Sequence, residues 1–316
     1  MMETTLSPRK DCPKGIGFTM KSKEKRFIVL SLMPALLCFA CLFLYPVLRT
    51  FTMSVFAVPT IGDSFEKWSF VGTSNYISLL NSKLFLRSME NMLLIWVVGG
   101  IITMFFSLLY ATIIGSGVKG KSFWRSIVYL PNIISAVALA NMWTQYVFNV
   151  NHGLFTTLLK WLGLPPVQWT SPENIFWSML VSFCFGCVGY YMLIFLAGID
   201  RIPADLYESA YLDGAGKIVS FFRITFPLLR GVFRTCLTLW SVTVANFFVW
   251  TLMFSQTSSA NVMVPAVYMY TSVLGANAGS GLNVGAGSAV GVVLTVIVVI
   301  AYVVLNVALP ERGVEY

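Results

Sequence analysis

Charge is what this chain has least of. Only 11% of its 316 residues are Asp, Glu, Lys or Arg, and 57% are hydrophobic. A soluble domain usually carries about 25% charged and about 45–50% apolar residues. The deficit excludes an ordinary soluble domain and points to a chain that crosses a membrane several times. Histidine is nearly absent too: His152 stands alone in a short loop, and one histidine without partner ligands is weak support for a metal site. The long apolar runs hold no paired His, Asp or Glu, which counts against an enzyme working inside the membrane. No clean small-residue cleavage site follows the first apolar run, and a long polar stretch precedes it. That run is therefore expected to stay as an anchor rather than leave as a signal peptide.

The bases that are present sort by position. They cluster in the N-terminal tail, between Lys119 and Arg125, and between Arg201 and Arg234, whereas the stretch from Ser255 to Asn283 has no Lys or Arg. Spanning proteins hold their bases on the cytoplasmic side. A nucleic-acid reading would need those bases on one soluble face, and no such face is visible. A helix needs about 20 apolar residues to cross the hydrocarbon core. The expected spans are Phe27–Leu48, Asn91–Ile114, Trp124–Phe148, Asn174–Ile199, Gly231–Phe254 and Val284–Leu309. The fold expected is thus an all-α, multi-pass membrane protein with about six transmembrane helices and both termini cytoplasmic. Residues 1–26 form a basic tail, and 27–316 form the membrane domain. The last span carries Gly281-x-x-x-Gly285 and Gly287-x-x-x-Gly291, spacing that lets helices approach closely within the chain or with a partner. The pairs Cys38/Cys41 and Cys184/Cys187 have C-x-x-C spacing, which suits redox or metal chemistry. Inside apolar runs such cysteines read better as small packing residues.

One polar stretch, residues 200–230, breaks the pattern. Asp200, Arg201, Asp205, Glu208, Asp213, Lys217, Arg223 and Arg230 crowd between two apolar runs. Pro203 fits the first turn of a helix. Leu206, Tyr207, Ala210 and Tyr211 are spaced for one helical face, and Asp213-Gly214 ends it, because glycine accepts the left-handed conformation. A second helical segment follows through Lys217, Phe221 and Phe222, with Pro227 marking its end. Such a helix–turn–helix offers either an apolar knob with a charged rim for a partner's groove or an amphipathic cap on the bundle.

The stretch Glu208-Ser209-Ala210-x-x-Asp213-Gly214-Ala215, followed by Ile224-x-x-Pro227, resembles the EAA loop of binding-protein-dependent ABC importer permeases. The preceding Ile202-Pro203-x-Asp205-Leu206-Tyr207 has the form of the carbohydrate-uptake members. The resemblance spans nearly the whole chain, through Pro34-Ala35-Leu36, Tyr45-Pro46, Val71-Gly72-x-x-Asn75-Tyr76, Asn91, Leu130-Pro131, Ser135, Trp143, Phe148-Asn149 and Gly153-Leu154. It is strongest to the maltose- and glycerol-3-phosphate-type subunits. Ser209 stands where the family has Ala, Gly231 where a Pro is common, and Thr156 or Thr157 where an Asn follows Gly-Leu.

The resemblance implies a type I ABC importer membrane subunit in a bacterial-type plasma membrane. It implies a second homologous permease, two cytoplasmic ABC ATPases that hold ATP and Mg, and an extracellular solute-binding protein. Beyond membrane lipid and these proteins no partner is implied, and no nucleic acid. This chain is expected to bind no cofactor or metal, to have no ATPase site and to be no enzyme. Leu206, Tyr207, Glu208, Ala210, Leu212, Asp213 and Gly214 would couple to the ATPases. Tyr190, Ser241, Thr243 and Asn246 would line the substrate path, although interhelical hydrogen bonding is an equal use for each. The cargo implied is a sugar or oligosaccharide, with a polyol or glycerol-3-phosphate as the alternative.

Overall fold

A computed structural model describes residues 22–60, 62–255, 260–275 and 283–310. The basic tail lies almost wholly outside them, as do Gly281 and the last residues of the chain. The fold divides at Arg49 into two units. In the first, helix α1 (Ser22–Phe39) passes through a π-helical stretch, Ala40–Leu44, into the start of α2 (Tyr45–Ser54). Its apolar side chains, such as Leu30 and Leu36, are exposed.

The second unit begins with a hairpin of two-residue strands, β1 (Phe56–Ala57) and β2 (Ser69–Phe70), paired antiparallel. Helix α3 (Ser74–Asn81) follows. The side-chain amide of buried Asn75 donates to the Ser54 and Phe56 carbonyls at 2.9 and 3.0 Å, and the Tyr76 hydroxyl donates to the Ser54 Oγ at 2.8 Å. Asn75 thus pins both the end of α2 and β1 to α3, and Tyr76 adds a second tie to the end of α2. Helix α4 (Lys83–Leu94) runs through a π turn, Ile95–Gly99, into α5 (Gly100–Gly115). After the basic turn come α6 (Lys121–Ile133), α7 (Ala136–Met142) with a π-helical extension Trp143–Val147, and α8 (Leu154–Trp161). Helix α9 (Ile175–Ile199) is the central post.

Helix α5 lies beside α9 in the same direction: Gly99 meets Leu180, Ser107 Oγ donates to the Val188 carbonyl at 2.9 Å, and Gly115 meets Ile199. Helix α6 runs antiparallel to both, from the Lys121–Asp200 ion pair at 3.0 Å to Asn132 beside Gly186. At Gly189 the backbone of α6 passes so close that any Cβ would overlap the Val128 carbonyl and the Tyr129 Cα. Backbone cannot step aside cheaply, and overpacking costs about 1–3 kcal/mol. Gly189→Val is therefore expected to lower the unfolding temperature of the detergent-purified subunit. Gly291→Ala, whose Cβ would meet Met269 and Thr50 at ordinary contact distance, should leave it unchanged in the same melt.

Among the described residues, four helical stretches are long and apolar enough to cross a membrane alone: Phe27–Ser54, Lys83–Gly115, Ile175–Ile199 and Val284–Ala308. The expected third span is not one straight helix. It bends by 97° between Ile133 and Ala136, because Ile134 adopts an extended conformation and Ser135 Oγ caps a new helix, accepting from the Ala138 N–H at 3.3 Å. Pro131 lacks the N–H that would hold the preceding turn. The expected fifth span also breaks. Helix α13 (Arg230–Ala245) stops at Asn246, whose side-chain amide and backbone N–H both go to the Val242 carbonyl, and α14 (Val249–Phe254) restarts after the gap. Side chains that bond the carbonyl four residues back compete with the helix ladder.

The stretch after Ser255, expected to be an outer loop, contains helix α15 (Pro265–Leu274). It packs antiparallel to α16 (Val284–Ala308), with Val273 against Gly287 and Met269 against Gly291. The small residues of the last span thus serve contacts inside the chain: Gly285 admits the Phe56 carbonyl and Gly287 admits Val273. Among the cysteines, Cys184 and Cys236 are buried and Cys187 is half-buried, but Cys38 and Cys41 are exposed, and all five are free thiols. Packing in a buried site accounts for the first three and not for the last two.

Candidate coupling site

Polar residues 200–230 fold as the chain leaves α9. Helix α10 (Ala204–Leu212) starts immediately after Pro203, which stands at its cap rather than in its first turn. The helix ends in a Schellman arrangement. The Ala215 N–H donates to the Ala210 carbonyl at 2.8 Å, the Gly214 N–H donates to the Tyr211 carbonyl at 3.0 Å, and Gly214 sits at φ +80°. Two carbonyls that α10 would leave orphaned are thereby satisfied. Helix α11 (Lys217–Ser220) then leads through a π-helical stretch, Phe221–Thr225, into the short α12 (Phe226–Leu228). Pro227 offers no N–H to the Arg223 carbonyl, and the chain turns by 64° before α13 begins.

The two arms are tied together by a partly buried contact, Tyr207 Oη to Thr225 Oγ1 at 2.9 Å. Phe221 packs on Phe226, Phe226 on Phe233 of α13, and Phe233 on Phe195 of α9. An aromatic chain therefore runs from the polar loop into two spans. Outward, Leu212 is 85% exposed, Tyr211 79%, Ile218 75% and Phe222 63%. Around this apolar tip Asp205, Glu208, Asp213, Lys217 and Arg223 are exposed.

The structure divides the coupling candidates into two groups. Leu206, Glu208, Leu212, Asp213 and Gly214 face solvent, whereas Tyr207 and Ala210 are half-buried and hold the loop's own shape. Ile218 and Phe222, absent from the candidate set, complete the tip. Their signal was in the sequence: two apolar residues one turn apart in a segment rich in charge.

The substrate-path candidates also divide. Ser241 is buried, accepts from Trp96 Nε1 at 2.9 Å and donates to the Leu237 carbonyl. Thr243 donates to the Leu239 carbonyl at 2.9 Å and lies 3.3 Å from Tyr191 Oη. Both knit helices together. Tyr190 and Asn246 are exposed, although the Asn246 amide bonds Val242. Asn91, noted only as the start of a span, is buried and donates to the carbonyls of Ala260, Asn261 and Met263 at 2.8–3.3 Å.

Residues Gly115–Ser122 read G-x-x-x-x-G-K-S, the letters of a phosphate loop, in a chain expected to have no ATPase site. The setting differs from that motif's. A phosphate loop joins a strand to a helix, whereas this turn joins α5 to α6 and its Lys121 is paired with Asp200.

The family model for "Binding-protein-dependent transport system inner membrane component" matches residues 26–312. The trehalose/maltose transport system permease protein MalF of Thermococcus litoralis is 29% identical over 72% of this chain and 77% of its own length. The sn-glycerol-3-phosphate transport system permease protein UgpA of Yersinia enterocolitica is 30% identical over 64% of this chain and 68% of its own. Among solved structures, a bacterial ABC transporter involved in the import of the acidic polysaccharide alginate superposes with a TM-score of 0.77, at 23% identity, covering 93% of this chain and 98% of that one. With the family model covering the chain from before its first span to beyond its last, this protein belongs to the inner membrane components of binding-protein-dependent transport systems.

Proposed function

We propose that this chain forms half of the translocation path of an ATP-driven importer for sugars or oligosaccharides and couples it to ATPase subunits through residues 200–230. The observation that carries the coupling role is the exposed apolar tip of Tyr211, Leu212, Ile218 and Phe222 within a charged rim, linked by tilted and edge-on aromatic contacts to α9 and α13. An apolar knob rimmed by charge suits a groove on another protein. The tip is on the cytoplasmic side in this reading. The charge rule supports that placement, as does the Lys121–Asp200 pair, which sets both basic turns at one end of the bundle.

The ATP and Mg belong to the partner ATPases, because the Gly115–Ser122 turn lacks the strand-to-helix setting of a phosphate cradle. A second, homologous permease completes the path, and a binding protein delivers the cargo. The relative named for trehalose and maltose supports sugar as the cargo. The relative named for sn-glycerol-3-phosphate supports the alternative, but no Lys or Arg lies in the middle of the spans to hold a phosphate. Closure of the ATPases would move the loop and tilt the spans between inward- and outward-facing states.

The test is uptake by proteoliposomes holding the complete transporter, its binding protein and internal ATP. ATP-dependent accumulation of labelled maltose or trehalose is expected. Accumulation of glycerol-3-phosphate with none of either sugar would move the cargo to the alternative class.

A further inference from the structure

A cavity of about 420 Å³ lies where the π-helical extension of α7 meets the end of α14. Its volume falls in the range of small-ligand sites, about 300–1,000 Å³. Asn141, Gln145, Asn149 and Thr170 line it, over an apolar floor that includes the nearly inaccessible Phe148 and Phe254. Phe148 packs on Trp169, whose carbonyl accepts from Ser178 Oγ at 2.8 Å near the start of α9. The cavity is therefore at the end of α9 opposite Asp200 and the coupling loop.

The lining specifies a ligand class. No Asp, Glu, Lys or Arg lines the cavity among the described residues, so nothing there selects for a charge. The side-chain amides of Asn141 and Gln145 make no hydrogen bond among the described residues, and each offers one acceptor and two donors. Asn149 Oδ1 is taken by the backbone N–H groups of Asn151 and His152 at 2.9 and 3.3 Å. What Asn149 has left to offer is its two N–H donors. Unspent amides on a lining without charge match a neutral molecule that both donates and accepts through hydroxyls. The π-helical stretch adds a second pointer, since such bulges are frequent at functional sites.

We propose that this cavity is an outer subsite for a neutral sugar unit, distinct from the Tyr190 and Asn246 positions on α9 and beyond α13. The proposal rests on the sugar reading above. Its test is equilibrium binding of labelled maltotriose to the complete transporter in nanodiscs, with no binding protein present. Wild type should bind. The shape-conserving pair Asn141→Leu with Gln145→Met should weaken binding at least tenfold, and Gln145→Asn in place of the Met should recover part of it. Both positions are exposed, so assembly of the complex, read by co-purification, should survive.

Unchanged maltotriose affinity in the double variant would overturn the subsite. So would wild-type complex that transports sugar yet binds no free maltotriose. If the double variant lost only association with the binding protein, the cavity would be a docking site for a protein segment and the proposal would fall. Wild-type complex that transports no neutral sugar at all would overturn the cargo reading and the subsite together.

Discussion

Gly214→Val is expected to leave the subunit folded in the membrane and to impair assembly with the ATPases. Gly214 has φ +80° and open space around its missing Cβ. A side chain there would clash with nothing, so the whole effect comes from the backbone. A β-branched residue held in the left-handed region costs roughly 1–3 kcal/mol. The loop avoids that cost by giving up the turn, and with it the two bonds from Gly214 and Ala215 that close α10. The turn from α10 into α11 would then no longer be fixed, and the partner would lose a preformed surface. The same energy corresponds to an affinity loss of roughly 5- to 150-fold. Gly214→Asn is the control: asparagine visits the left-handed region readily and should keep most of the assembly. Equal loss in both variants would show that the turn is not the cause. Co-purification of the ATPases with each variant is the measurement.

Glu208→Ala is expected to cut uptake severely while the bundle stays intact. Glu208 lies one turn before Leu212 on the exposed face of α10, so it borders the apolar tip. A base on the ATPase is the fitting complement. Removing one member of a hydrogen-bonded interface charge pair costs about 2–5 kcal/mol, mostly by stranding the other charge. Glu208→Gln retains shape and one acceptor and should fall between wild type and Ala. Among the described residues this carboxylate makes no hydrogen bond or ion pair, and it is exposed. Loss of the subunit itself would therefore contradict the reading.

The sequence made some parts of this molecule legible and hid others, for physical reasons. Helices α9 and α16 match the expected spans to within a residue or two, because a long apolar run in lipid has no alternative to a helix. Gly214 was legible because a conformational demand leaves its mark on residue choice. Asn75 stood out in the sequence by resemblance alone, and the structure supplies its task in the hairpin. The 97° bend after α6 was hidden. Pro131 signals weakness, but the angle depends on Ser135 capping α7 and on what packs around it. Helix α15 was hidden for another reason: ten residues are too few to span, and hydropathy does not separate a buried return helix from a loop. The roles of Ser241 and Thr243 were hidden because their partners, Trp96 and Tyr191, lie far away in sequence. Polarity within a span marks a group that needs a partner and does not say whether that partner is a helix or a cargo.

The claim at the centre of this account is that residues 200–230 carry the work of ATP hydrolysis into the spans. ATP hydrolysis stimulated by sugar-loaded binding protein, measured in the reconstituted complex with and without Glu208→Ala, tests it most directly. Binding-protein association is read in the same samples. Stimulated hydrolysis and uptake are expected to fall together in the variant while association with the binding protein persists. Stimulated hydrolysis and uptake at wild-type levels would make Glu208 a solvated helix charge. Loss of binding-protein association instead would place the loop on the opposite side of the membrane.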